Sequence, residues 1–540
     1  MKPRSGQGLA QTTAAEVERA AQALLREDAA GIGARVVAGE LRAQALLEAS
    51  LQRIEAVDDR LGAVCWRSPD LGREAARAVD AEVRAVAGRP DAQRRLLSRR
   101  PFAGVPFLLK DLGLAAVGIP SQMGSRLYGS LTGAPLQWDV DSELVRRYRA
   151  AGLVIFGRTA TPELGISAST EARAYGRPTR NPWKLTHSAG GSSGGAGAAV
   201  AGRLVPIAHA SDGAGSIRIP ASCCGLVGLK PSRALMPNGP LNGEAWGGLA
   251  MEHVITQSVR DCALALAASA GADVGALYPA PAVSSRGLRR VAALAGQADG
   301  AQGESHAVRS RRQRLRIGYI DSDFEGRPVD PWIAAAVVEV ARTLEERGGH
   351  RVEAARVPVA TSDIVETVVR TMTCWTAAGI ERFCRANHLD PATLPEEALE
   401  PSTWGAFRAG KALSASEYIE LQAGTNRIAR AIGAAVDRFD VLLLPVLAEL
   451  PAVLGRFAMD NPDYLDYRLG QNGLIHYSPF TPLANLTGQP ALSLPLAMAE
   501  GLPIGVQLVG RIGADAGLLA LAADLERWMP WRGRMPPLLS

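Results

Sequence analysis

The sequence predicts an α/β fold built on a buried sheet. Three observations carry this. Short apolar runs of strand length recur along the chain. Stretches of helical period stand between them. Two glycine turns bracket a single helix–strand unit near the middle, a geometry that brings two loops to one sheet edge.

Residues from about 14 to 60 read as helices, with Leu46, Leu47, Leu51 and Ile54 at helical spacing. Val105–Lys110 is an apolar run that ends in a lysine and reads as a buried strand. Ser142–Ala151 reads as a helix and Leu153–Gly157 as the strand after it. Gly190–Gly197 is glycine-rich, Ala198–Leu204 continues as a helix, and Val205–Ser211 is a strand. Asp212–Ser216 is the second glycine turn, followed by a strand at Leu226–Lys230. Residues 280–314 gather seven arginines among Gly, Ala, Ser and Gln, and read as an exposed insertion. Beyond it, 317–322 reads as a strand, and 331–348, 364–385 and 414–438 as helices. Val441–Pro445, Ala491–Pro495 and Gly505–Val509 are buried strands before a last helix at about 514–528. The late strands complete the same sheet, so one domain over 1–540 is expected.

Composition narrows the function. The 540 residues are 47% hydrophobic and 21% charged, ordinary globular values with a core large enough to bury a reactive site. A net charge of +5 spread over this length gives no nucleic-acid footprint. No apolar run of membrane-spanning length occurs, and the first residues lack the apolar core of a secretory leader. The six cysteines form no CxxC pair and the seven histidines no metal-binding spacing. A protein of the cytoplasm with reduced thiols and no metal is expected.

The chemistry concentrates in three blocks. Gly190-Gly191-Ser192-Ser193-Gly194-Gly195 is followed by Asp212-Gly213-Ala214-Gly215-Ser216-Ile217-Arg218, and Gly104-Val105-Pro106-Phe107-Leu108-Leu109-Lys110-Asp111 lies upstream. A serine hydroxyl is a weak nucleophile until a base takes its proton. A lysine can be that base only when burial keeps it neutral. Five uncharged residues before Lys110 argue for such burial. A serine between the two relays the proton, as in Ser–Lys alternatives to Ser–His–Asp. Consecutive amides in a glycine turn can hold the carbonyl oxygen as charge develops on it.

Other readings of the same residues are weighed against this one. A glycine turn before a helix can cradle phosphate, but no Gly-Lys-Ser/Thr follows here. Gly190–Gly194 also fits the GxSxG nucleophile elbow, with Ser192 attacking and His476 or His388 as base. Asp212 and Arg218 can be a plain structural ion pair, which is compatible with either.

Together the three blocks closely resemble the amidase signature family. The resemblance runs from about residue 14 to the C-terminus and is weakest over 280–314. It implies the amidase-signature fold, a large twisted mixed β-sheet covered by helices on both faces. It implies N-terminal helices at about 14–60, a signature core at 100–235 and a variable, substrate-pocket half at 316–540. Carried over by position, Ser216 matches the nucleophile, Ser192 the bridging serine behind a cis peptide bond, and Lys110 the base. The amides of Gly213, Ala214, Gly215 and Ser216 match the oxyanion hole. Ser193, Asp212 and Arg218 match residues that brace the loops. Ala214 stands where glycine is commoner.

Within the family, the Asp212–Ser216 turn with its alanine, Arg180-Asn181-Pro182-Trp183 and the closing Pro530-Trp531 resemble the 6-aminohexanoate-cyclic-dimer hydrolase group. That resemblance implies hydrolysis of linear or cyclic amides through an acyl-enzyme, with no cofactor, a small-molecule amide as partner and a homodimer as a compatible assembly. Aryl-acylamide and carbamate hydrolysis are alternatives. An amidotransferase subunit handing ammonia to a partner is an alternative of another class; its pattern has glutamine where Ile219 stands. Cys374, Trp375, Trp404 and Tyr477 are candidate substrate contacts in the variable half, each equally readable as core packing.

Overall fold

The computed structural model describes residues 12–296 and 314–539. Its centre is an 11-stranded mixed sheet. The strands are β1 (Val64–Arg67), β2 (Pro106–Lys110), β3 (Val154–Thr159), β6 (Ile207–Asp212), β7 (Val227–Lys230), β8 (Met251–Thr256), β9 (Arg316–Tyr319), β10 (Arg351–Ala354), β11 (Val441–Pro445), β12 (Ala491–Ala499) and β13 (Leu502–Gly510). A separate hairpin pairs β4 (Arg180–Asn181) with β5 (Lys184–Ser188). The order across the sheet is β1-β3-β2-β6-β8-β7-β12-β13-β11-β9-β10. β2 runs parallel to both β3 and β6, whereas the β8, β7, β12 and β13 pairings are antiparallel.

β11, and β2 up to its terminal lysine, are continuous apolar runs because helices cover both faces. β2 and β11 are buried at every residue. The core runs without a break from Leu46 and Leu47 in the N-terminal helices through the sheet to Leu525 and Trp531. The helix Gly194–Ala201 is built of Gly, Ala and Val and is wholly buried. Its small side chains are a packing requirement: a Cβ on Gly195 would lie 2.3 Å from the Ala160 nitrogen.

Three features differ from expectation. The exposed insertion at 280–314 contains a helix, Ser285–Ala295, capped by Ser284 and burying Leu288, Val291 and Ala292. Those three lie at i, i+3 and i+4, a helical stripe that the surrounding arginines obscured. Residues 297–313 of that segment lie outside the described residues. The central strand β8 was not expected, because Glu252 and His253 interrupt its apolar pattern. The short strands β1 and β10 and the helices Pro69–Val86 and Pro90–Arg99 also escaped the sequence reading. Among the described residues, no helix is long and apolar enough to cross a membrane.

Candidate active site

The site forms where two parallel neighbours end. Lys110 closes β2 and Asp212 closes β6, with Phe107 opposite Ile207 and Leu108 opposite Ala208. Carboxyl ends of parallel strands are where such sheets open to ligands. The loop carrying Ser192 enters from the start of the Gly194–Ala201 helix. The turn carrying Ser216 leaves β6 toward the helix Arg218–Cys224.

Lys110 is fully buried. Its Nζ donates to Ser192 Oγ at 2.7 Å and to Ser211 Oγ at 2.9 Å. Burial pulls its pKa down to about 7, against the opposing pull of the Glu252 and Asp212 carboxylates. The Gly191–Ser192 peptide bond is cis. The two loops are joined where the Ser193 amide donates to the Ser216 carbonyl at 3.3 Å. Ser193 Oγ also donates to the Ser211 carbonyl at 3.2 Å, so it braces the end of β6. Of the two serines in the glycine blocks, the lysine bonds Ser192. Ser216 is buried, and its Oγ makes no hydrogen bond among the described residues.

The second turn is wound around Asp212. Its carboxylate accepts the Gly215 amide at 2.7 Å and the Ile217 amide at 3.1 Å, and takes both Nε and Nη2 of Arg218 at 2.9 Å. Both partners are fully buried. Arg218 also donates to the Thr481 carbonyl, Gln507 Oε1 and Asn485 Oδ1. This satisfied network holds the Asp212 carboxyl well below its ordinary range despite burial. It also corrects one expectation. The family resemblance implies four amide donors for a carbonyl oxygen, yet the Gly215 amide is committed to Asp212 Oδ1. The carboxylate shapes the turn by holding that amide.

The four candidate contacts of the variable half fall in different places. Trp375 Nε1, on the helix Thr361–Ala386, donates to Tyr418 Oη at 3.1 Å, and Cys374 beside it is half-buried. Trp404 Nε1 donates to the Glu396 carbonyl. Its ring lines a separate cavity of about 550 Å³ with Arg126, Glu163, Arg173 and Glu400. Tyr477 is buried in the core behind the helix after Ser216, where Ala452 N donates to its hydroxyl and Cys223 Sγ lies 3.7 Å away. Packing therefore accounts for Tyr477. His388 and His476, the bases an elbow would need, are both exposed.

Several site residues escaped the sequence reading. Ser211 and His209 sit at alternate positions of β6, whose other residues before Asp212 are apolar, and that alternation was the available signal. His209 Nδ1 accepts the Lys110 amide at 3.2 Å, and its Nε2 meets Glu252 Oε2 at 2.9 Å. The polar residue that hid β8 thus supports the lysine strand. Thr481 Oγ1, donating to the Ala214 carbonyl at 2.7 Å, gave no local sequence signal.

With this geometry in place, comparison with known proteins is decisive: the sequence model of the amidase family matches residues 45–519. The chain belongs to the amidase family. It is an amide hydrolase. It is 34% identical to the 6-aminohexanoate-cyclic-dimer hydrolase of Paenarthrobacter ureafaciens, over 96% of this chain and 97% of that one. A solved structure of 6-aminohexanoate cyclic dimer hydrolase superposes with a TM-score of 0.80 at 32% identity, covering 95% of this chain and 99% of the other. A bacterial aryl acylamidase of the amidase signature family superposes at 0.78 and 27% identity, covering 94% and 99%. The amidase fold thus extends over nearly the whole chain.

Proposed function

We propose that this amidase cleaves carbon–nitrogen amide bonds with Ser216 as nucleophile, Ser192 as proton bridge and Lys110 as base. Ser216 Oγ attacks the amide carbonyl and forms the C–O bond while its proton passes to Ser192. Ser192 gives its own proton to neutral Lys110 Nζ. Negative charge on the former carbonyl oxygen is held by the amides of Gly213, Ala214 and Ser216. The C–N bond then breaks, and the amine leaves with the proton returned through Ser192. Water hydrolyses the acyl-enzyme by the same path in reverse. The observation that carries the proposal is the 2.7 Å contact between a fully buried lysine and Ser192. Burial supplies the neutral base that a serine nucleophile needs.

The substrate class we favour is small linear or cyclic oligoamides, 6-aminohexanoate oligomers among them. Likeness to the cyclic-dimer hydrolases over nearly the full length supports this. Aryl acylamides are the second class, on the likeness to the aryl acylamidase. A fluorophosphonate tests the nucleophile directly. It should label the wild type and not Ser216→Ala. Labelling that survives in Ser216→Ala but is lost in Ser192→Ala would replace this assignment with the elbow.

A further inference from the structure

A tryptophan outside every signature block leans on the proposed carbonyl-binding turn. Trp246 belongs to the short turn Trp246–Gly248 after β7. A Cβ on Gly213 would lie 2.4 Å from Trp246 Cε3 and 2.6 Å from Cζ3, so the indole rests directly on the Gly213 backbone. The absence of a side chain at Gly213 is what admits the ring.

The turn holds the indole there at a conformational cost. Trp246, Gly247 and Gly248 have φ of 51°, 59° and 80°. A bulky residue in the left-handed region persists only where its surroundings hold it, and such outliers gather at ligand sites. Gly247 faces Gln422, the Tyr418 hydroxyl and Trp375 Nε1. The Gly248 carbonyl accepts Arg233 Nε at 2.7 Å. Asn485 Nδ2 reaches both the Leu249 and the Asp212 carbonyls, tying this turn to the Ser216 turn. With this support behind it, Trp246 remains only half-buried, and Ala214 beside Gly213 is likewise partly open.

We infer that Trp246 is a specificity-determining residue: its indole forms a flat apolar wall beside the scissile carbonyl and selects amides bearing an extended methylene or aryl substituent. This rests on the proposed function, because it places the substrate carbonyl on the Gly213–Ser216 turn. A large rigid ring offers apolar contact at low entropic cost. The selectivity belongs in KM, since the wall meets the substituent in the ground state as well as in the transition state.

The test measures kcat/KM for two homologous pairs, hexanamide against acetamide and N-hexylacetamide against N-methylacetamide. Rates are normalised to active sites titrated with a fluorophosphonate. In at least one pair the wild type should prefer the longer member. Trp246→Ala should cut that preference about tenfold through KM, and Trp246→Phe should keep it within about threefold. Trp246→Leu, which retains apolar bulk on Gly213 without the flat face, should fall between them and serves if Trp246→Ala does not fold. A length preference unchanged in both Trp246→Ala and Trp246→Leu, or absent from the wild type, overturns the inference. A wild type that neither cleaves any of the four amides nor reacts with the fluorophosphonate overturns the amide mechanism beneath it, a separate failure.

Discussion

Acidification should switch this amidase off along a limb centred near pH 7. The perturbation is protonation of Lys110, whose pKa burial brings down to about 7. A base at that value is about nine-tenths neutral at pH 8 and about one-tenth neutral at pH 6, so kcat/KM should fall roughly tenfold between them. An exposed lysine would be neutral in only about four molecules per ten thousand at pH 7, and the rate would climb until pH 10 or beyond. Nearby groups do not imitate the limb. The Asp212 carboxyl is held below its usual range, and burial depresses His209. Lys230 is also buried and near 7, but its Nζ is bonded to the Pro231 carbonyl, so Lys230→Met should leave the limb in place. Glu252 opposes the lowering at Lys110, so Glu252→Gln should move the limb to lower pH. The assay is initial-rate kinetics on one amide from pH 5.5 to 10.5. A flat profile between 6 and 8, a limb that follows Lys230, or a Glu252→Gln shift to higher pH would refute the electrostatic reasoning.

Two further outcomes follow from neighbouring contacts. Ser211→Ala removes one of the two hydroxyls holding Lys110 Nζ, and the loss of one hydrogen bond should lower kcat about fivefold with KM unchanged; a KM effect without a kcat effect would assign Ser211 to substrate binding instead. Asp212→Asn leaves the Arg218 guanidinium buried without its counter-charge, and should lower unfolding free energy by about 3–5 kcal/mol in urea denaturation; a change under about 1 kcal/mol would mean the surrounding carbonyls satisfy Arg218 unaided.

The sequence by itself determined the elements whose pattern is local. β11 has the bounds its apolar run predicts, and the runs ending in Lys110 and Ser211 mark β2 and β6 to within a residue or two. The glycine blocks and Lys110 were legible because each is a short motif of residues adjacent in the chain. Sequence alone could not say that Lys110 Nζ is shared between Ser192 and Ser211, or that Trp246 covers Gly213. Those contacts join residues 82 and 101 positions apart, and 33 between Gly213 and Trp246. Local pattern fixes which face of an element is apolar. Only packing the sheet decides which loop ends meet and which polar groups must satisfy one another away from water.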